Sequence, residues 1–419
     1  MSNHFTRVLS RNEFIALMAA LMALNALAID VMLPALPYMG EALGIASENE
    51  RQFVISAYMI GMGVAQLVFG PLTDRFGRRA PLLAGMGLYV IAAFTAIFAP
   101  SFTVLLVLRV IQGMGAASVR VIATSAVRDN YSGREMAEVM SLTFMVFMAI
   151  PIVAPGIGQV LLLTGPWQMI FLFMALLASA FWLWTFFRLP ESLPLDKRRP
   201  LTFKGVFDGF RIVFTNRAAI SYGLAGTFLF GALFGFISSS QQIYVDIYGL
   251  GVYFPVAFAA MAGLMAISSF TNSVIVRRFG MRRLSHGAML AFTVVSGIWL
   301  AFALSGFLPL WLFFPLLAII MFSFGWAASN MNSLSMEPLG AVAGTASAVF
   351  GFIQTVGGAL IGGYVGQLFN GTTVPVATGY FAMGVLALIC ILIAENGKLF
   401  GVGEQYSHGD DVAAVGGAH

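Results

Sequence analysis

Gly70-Pro71-Leu72-Thr73-Asp74-Arg75-Phe76-Gly77-Arg78-Arg79 places a proline and a cluster of charges between two long apolar runs. One run begins near Arg51 and the other near Ala80, and neither alternates apolar with polar residues. A hydrocarbon core needs about 20 apolar residues per helix, which each run supplies, whereas barrel strands are shorter and alternate with period two. The runs read as spanning helices and the charged stretch as their loop, because a backbone inside lipid must satisfy its own hydrogen bonds. Part of the loop recurs. Arg75-Phe76-Gly77 returns as Arg278-Phe279-Gly280, again between two apolar runs and at one constant offset. Equivalent placement in two halves points to a parallel duplication.

Outward from these loops, further apolar runs start near Glu13, Thr103, Met136 and Pro166, and near Arg217, Tyr253, Ser285, Pro309, Gly340 and Val374. Together they make about twelve spans. The composition agrees: 59% of residues are hydrophobic, 10% are charged and the mean hydropathy is +0.89, too little polar surface to wrap a soluble globule. The expected architecture is an all-α membrane protein of 12 helices, with a six-helix bundle at 1–188, a linker at 189–216, a second bundle at 217–395 and a disordered tail at 396–419. Pro190, Pro194 and Pro200 with Lys197, Arg198, Arg199 and Lys204 give the linker the composition of a solvated loop. Arg7 and Arg11 before an apolar run resemble a signal peptide, but that run is too long and carries Asp30, so it reads as a retained first span.

The sequence pI is about 9.3, yet the basic residues recur at intervals and form no patch with interleaved aromatics of the kind nucleic acid requires. Topology accounts for them. With a cytoplasmic N-terminus, all of the 22 Lys and Arg except Arg51, Arg109 and Arg120 fall on the cytoplasmic side, which places both termini there. Cys390 is the only cysteine, so no disulfide forms within the chain.

An ionisable group in hydrocarbon costs about 2.5–3.5 kcal/mol on insertion scales, so the few inside spans are candidates for function. Asp30 is the only carboxylate well inside a span; Glu13, Glu337 and Glu395 sit near span ends, and none of the four histidines is central. Asp30 and Arg109 fall at similar depth and are expected to pair, with proton coupling as the functional reading and a permanent structural ion pair as the alternative. Arg120 follows Arg109 by about three turns, so the two share a face about 16 Å apart along the axis. Gln112 lies near that face, and with Tyr58 it completes the expected cavity set. For Arg120 two readings stand: cavity lining, or snorkelling to headgroups. Pro151, Pro155 and Gly158 predict a kinked fifth span. Gly61, Gly63, Gly113, Ala117 and the Gly358–Gly362 pair predict close helix packing. The 39 Phe and 23 Met suit an adaptable apolar pocket, although most must face lipid. No metal-ligand cluster, activated nucleophile or phosphate-cradling loop is legible, so neither an enzyme nor a cofactor is expected.

The Gly70–Arg79 stretch resembles the signature loop of the major facilitator superfamily, in the right place after the second span. Arg109 with Gln112, Gly113 and Gly115 is similar to that superfamily's fourth-span motif, and Ala154-Pro155 with Gly158 to its antiporter motif, with Ala154 and Gln159 where glycines are usual. Asp30-Val31-Met32-Leu33-Pro34-Ala35-Leu36-Pro37 and Gly344-Thr345-Ala346-Ser347 resemble the twelve-span drug:proton antiporters of the Bcr/CflA branch. The resemblance implies drug export by alternating access in a bacterial inner membrane, by a monomer whose partners are drug, protons and lipid. It further implies that Asp30 and Arg109 handle proton and drug, and that Gly70, Asp74, Arg75, Gly77, Arg78 and Arg79 form a conformational latch. There Asp74 would cap a neighbouring helix, and the second-half copy departs with Arg277 at the equivalent of Asp74. A proton symporter importing a metabolite is the alternative the same fold allows.

Overall fold

The computed structural model describes residues 9–45, 47–131, 133–195, 198 and 210–400. The expected disorder of the tail falls largely on 401–419, and most of the expected linker loop on 196, 197 and 199–209, all outside the described residues.

Every regular element among the described residues is helical. The first half holds α1 (Arg11–Asp30), α2 (Phe53–Phe76), α3 (Arg79–Ala96), α4 (Phe102–Asn130), α5 (Gly133–Thr164) and α6 (Gln168–Arg188). The second half holds α7 (Arg217–Gln241), α8 (Phe254–Phe279), α9 (Met281–Leu304), α10 (Leu310–Met336), α11 (Gly344–Gln367) and α12 (Val374–Ala394). Eleven of these are long and apolar enough to cross a bilayer among the described residues. The exception is α5, whose apolar part, Ala149–Thr164, is shorter, although the helix itself is continuous.

Starts follow ordinary capping. Ser10 caps α1 by accepting the Glu13 N–H at 3.2 Å, and Asn216 caps α7 through the Ala219 N–H at 2.9 Å. The loops between α2 and α3 and between α8 and α9 turn on Gly77 and Gly280, with φ of +88° and +79°, which is why both copies of the tripeptide end in glycine.

Packing repeats with the sequence. In the first half α1 packs on α5, α2 on α4, α3 on α4 and α3 on α6; in the second α7 packs on α11, α8 on α10, α9 on α10 and α9 on α12. Two seams join the halves, α2 against α11 and α5 against α8. The fold is therefore two six-helix bundles related by a pseudo-repeat.

The expected small-residue packing is present. A Cβ at Gly61 would strike the Val110 carbonyl, and one at Gly113 would strike the Tyr58 carbonyl, so α2 and α4 touch backbone to backbone. Pro151 and Pro155 both lie inside α5, which continues as one helix through them. The irregular turns lie elsewhere: α11 contains a π turn at Ile353–Gly357, and α7 runs on into another at Gln242–Ile247. No sequence signal marked either, and such turns cluster at sites of function.

Candidate functional site

Asp30 ends α1 at the point where the helix loses its regular hydrogen bonding. Pro34 has no N–H to offer the Asp30 carbonyl, and Pro37 has none for Leu33, so the chain tightens into a 3₁₀ turn at Leu33–Ala35 before resuming at Leu36–Ala42. Met32 N–H bonds the Ile29 carbonyl at 3.4 Å instead of reaching back to Ala28. That leaves the Ala28 carbonyl open, and Arg109 takes it.

Arg109 is wholly buried. Its Nη2 donates to Ala28 O at 3.0 Å, its Nε to Val54 O at 3.0 Å and its Nη1 to Gln112 Oε1 at 2.7 Å, while its guanidinium lies 4.4 Å from the Tyr58 ring centroid. Carbonyl dipoles and a ring face thus replace water around the cation. The expected Asp30–Arg109 ion pair is not formed. Arg109's donors are committed to α1, α2 and its own helix, and Asp30, 4% exposed, makes no ion pair or hydrogen bond among the described residues. The two residues are joined through backbone, because Arg109 clamps the turn of α1 that ends in Asp30.

Tyr58 is buried and donates to Asn25 Oδ1 at 3.3 Å, which adds Asn25 of α1 to the set. Gly158 of α5 closes the other side: a Cβ there would strike the Val31 carbonyl and meet Pro34. The antiporter-like stretch therefore seats α5 on the broken turn of α1. Gln112 is buried, and Arg120 is exposed on the face of α4 that carries Arg109.

One end of the bundle carries the α2–α3 loop and the start of the linker, and here it is called the linker face. Its centre is Arg78, not Arg75. Arg78 Nε donates to Asp129 Oδ2 at 2.8 Å, and Nη1 to Asp74 Oδ1 at 2.7 Å and Thr73 Oγ1 at 3.0 Å. Burial alone would lower the Arg78 pKa, but the bonds to Asp129 and Asp74 outweigh it and hold the group above the usual arginine value. Asp74 is bonded to Arg78 here and accepts no helix N–H among the described residues, the cap expected of it being one made in only one state of the cycle. Glu191 does cap one, accepting the Arg78 N–H at 2.7 Å and the Arg79 N–H at 3.2 Å at the start of α3. Arg79 also donates to Phe186 O at 2.6 Å, while Arg75 is exposed and lies over Phe76. Gly77 is required twice, for its positive φ and because a Cβ would strike the Glu191 carboxylate. Gly70 lies inside α2, and its carbonyl accepts from Thr73.

The second half answers with a different cluster. Arg282 bonds Glu395 at 2.8 Å and Glu337 at 3.2 Å, and Tyr222 donates to Glu395 at 2.6 Å and meets His286 Nε2 at 2.9 Å. These polar contacts stay within their own half. Across the halves, the far face is bolted. Asn49 donates to Gln367 O at 3.0 Å and Phe369 O at 2.8 Å, and its backbone carbonyl accepts from Gln367 at 2.7 Å. Gln242 donates to Asn49 Oδ1 at 2.9 Å and accepts from Gln52 at 2.6 Å, with Arg51 3.5 Å from Asp246. Asn49, Gln52, Gln242 and Gln367 carried no sequence signal, since neutral amides near helix ends are ordinary. Asp129 and Glu191 were hidden likewise among loop residues.

No group of three or more metal-ligating side chains is present among the described residues. The sequence matches the Major Facilitator Superfamily over residues 18–362. It is 30% identical to the bicyclomycin resistance protein homolog of Haemophilus influenzae, over 90% of this chain and 94% of that one. It is 29% identical to the uncharacterized MFS-type transporter YdgK of Bacillus subtilis, over 88% and 92%, and 28% identical to the multidrug resistance protein MdtL of Shigella dysenteriae, over 95% and 99%. The human organic anion transporter MFSD10 (TETRAN) superposes with a TM-score of 0.64 over 91% of this chain and 98% of that one, at 16% identity, a likeness of fold alone. A duplicated six-helix bundle, a signature loop folded around Arg78 and a family match across most of the sequence lead to one assignment: the chain belongs to the Major Facilitator Superfamily and is a multi-pass membrane transporter, not an enzyme.

Proposed function

We propose that this transporter is a proton-driven exporter of small, mostly apolar drugs or toxic compounds, working as a monomer by alternating access in a bacterial inner membrane. Both termini lie in the cytoplasm, and the bundles at 1–188 and 217–395 rock about the linker at 189–216. The observation that carries the reading is Asp30: a buried carboxylate without an ion pair, at a proline-broken turn held by Arg109 on one side and α5 on the other. Gaining or losing a proton there changes the cost of burying the side chain, and the broken turn gives that change something to move. The relatives named for bicyclomycin and multidrug resistance match along nearly their whole length, which supports drugs as the substrate class.

On this reading the far face is periplasmic and closed, while α2 and α11 also meet toward the linker face, where Gly70 lies against Ala348 and Gly351 against Gln66. Drug enters between the bundles, the far-face bolt releases, and a proton arriving from outside neutralises Asp30 as the drug leaves. The Arg78 network with Asp74, Arg79 and Gly77 keeps the α2–α3 corner of the first bundle rigid while the bundles rock.

The direct test is growth of a pump-deficient bacterium expressing the chain on a chemically varied drug panel, with accumulation measured before and after a protonophore. Raised tolerance and a protonophore-sensitive fall in accumulation are expected; proton-driven accumulation inside the cell would overturn export. Asn49→Ala removes two donated bonds and one accepted bond from the bolt, a loss of about 1–3 kcal/mol. It should shift the population toward the outward-open state by roughly tenfold or more. In a Ser56→Cys reporter on a Cys390→Ala background, labelling from the periplasm should quicken accordingly.

A further inference from the structure

We propose that Arg120 anchors a negatively charged group of the substrate, so that the cavity selects amphiphilic organic anions carrying a carboxylate. This rests on the transport reading above and adds to it the charge class of what is carried.

The first support is where Arg120 stands. On α4 the exposed or half-buried residues Val107, Met114 and Val121 recur every seven positions and mark one face. At about 100° per residue, Arg120 lies more than roughly 100° from that face. It shares instead the face of Arg109, Ala116 and Val127, all buried. Arg120 is exposed there and lies within electrostatic range of the Tyr58 hydroxyl, so solvent reaches it through the interior of the bundle. The helix runs 29 residues, more than the about 20 that cross a hydrocarbon core, and Arg120 stands ten residues before its end at Asn130.

The second support is what Arg120 lacks. Among the described residues its guanidinium has no hydrogen-bond acceptor and no ion-pair partner, and only its backbone carbonyl is engaged, by Thr124. The neighbouring cation is not available to a ligand, because Arg109 is spent on Ala28, Val54, Gln112 and Tyr58. Nor are the other carboxylates near span ends free to neutralise Arg120. Glu13 is held by Arg188, and Glu337 and Glu395 by Arg282. An accessible, unpaired guanidinium on the otherwise buried face of α4 is the group that a planar carboxylate fits, two N–H donors to two oxygens.

Gln112 does not compete for the ligand: Arg109 can only donate, so the Gln112 oxygen faces Arg109 and its amide nitrogen faces the Tyr89 hydroxyl. The anchor and Asp30 then occupy different depths, so the proton and the anion are handled by different residues.

The test uses the purified full chain with nalidixate as anionic probe, chloramphenicol as neutral probe and ethidium as cationic probe, with uphill export measured in cells. Arg120→Gln is expected to weaken nalidixate binding about tenfold or more, as removal of a charge-assisted pair does, and to change chloramphenicol binding less than about twofold. Arg120→Lys should restore part of the nalidixate affinity by returning the charge without the fork. The proposal is overturned by unchanged nalidixate affinity in Arg120→Gln, by equal losses for both probes, or by a wild-type preference for ethidium over nalidixate. Export separates the two claims. A wild-type chain that moves none of the probes uphill sinks the transport reading, whereas chloramphenicol export alongside any of the three overturning results sinks the anion anchor alone.

Discussion

The Asp30→Asn protein is expected to insert, fold and bind drug, yet to carry none of it uphill. Asparagine keeps the shape of the buried side chain and cannot release a proton, so the coupling chemistry is removed with little change in packing. One charge moved through 100 mV contributes about 2.3 kcal/mol, enough for roughly a fifty-fold drug gradient. In proteoliposomes with an imposed proton gradient, that accumulation ratio should fall to about one, while downhill exchange of labelled drug persists. The melting temperature should hold or rise, because a carboxyl group without a partner is costly to bury. Uphill accumulation at the wild-type level by Asp30→Asn would place the coupling proton elsewhere.

Replacing Arg109 should damage both fold and transport. Its three donors reach the carbonyls of Ala28 and Val54 and the amide of Gln112, tying α1, α2 and α4 at one point. Arg109→Ala leaves these acceptors buried without a partner and opens a void under Tyr58, a cost of about 3–5 kcal/mol. Arg109→Lys separates charge from geometry. An ammonium is a point charge without the planar fork and cannot serve acceptors on two different helices from one place, so transport should fall close to background although the charge remains. Unfolding in mixed micelles together with counterflow in proteoliposomes measures both effects. If Arg109→Lys transports at the wild-type rate, the clamp on α1 is not part of the cycle.

The architecture was legible because lipid leaves few options. Apolar runs of one length, basic loops on one side and a tripeptide repeated in equivalent loops each depend on the sequence alone. The site was legible in its members and not in its bonds. Asp30 and Arg109 stand out as charges in apolar runs, and pairing them follows from charge alone. Yet Arg109's partners are largely backbone carbonyls, and the one on α1 is freed only because Pro34 and Pro37 disturb the hydrogen bonding there. No side-chain pattern announces a carbonyl. In the signature loop, several arginines are equivalent on paper, and Arg78 is singled out only by the turn at Gly77 and by Glu191, more than a hundred residues away in sequence. The far-face bolt was invisible for a simpler reason: Asn49 and Gln242 acquire meaning only when the two halves meet.

That bolt is made chiefly of uncharged amides. Such groups neither titrate in the range a bacterium meets nor lose their attraction when ions crowd the surface. If the far face looks outward, as proposed, brine or acid outside the cell leaves these amide hydrogen bonds in place.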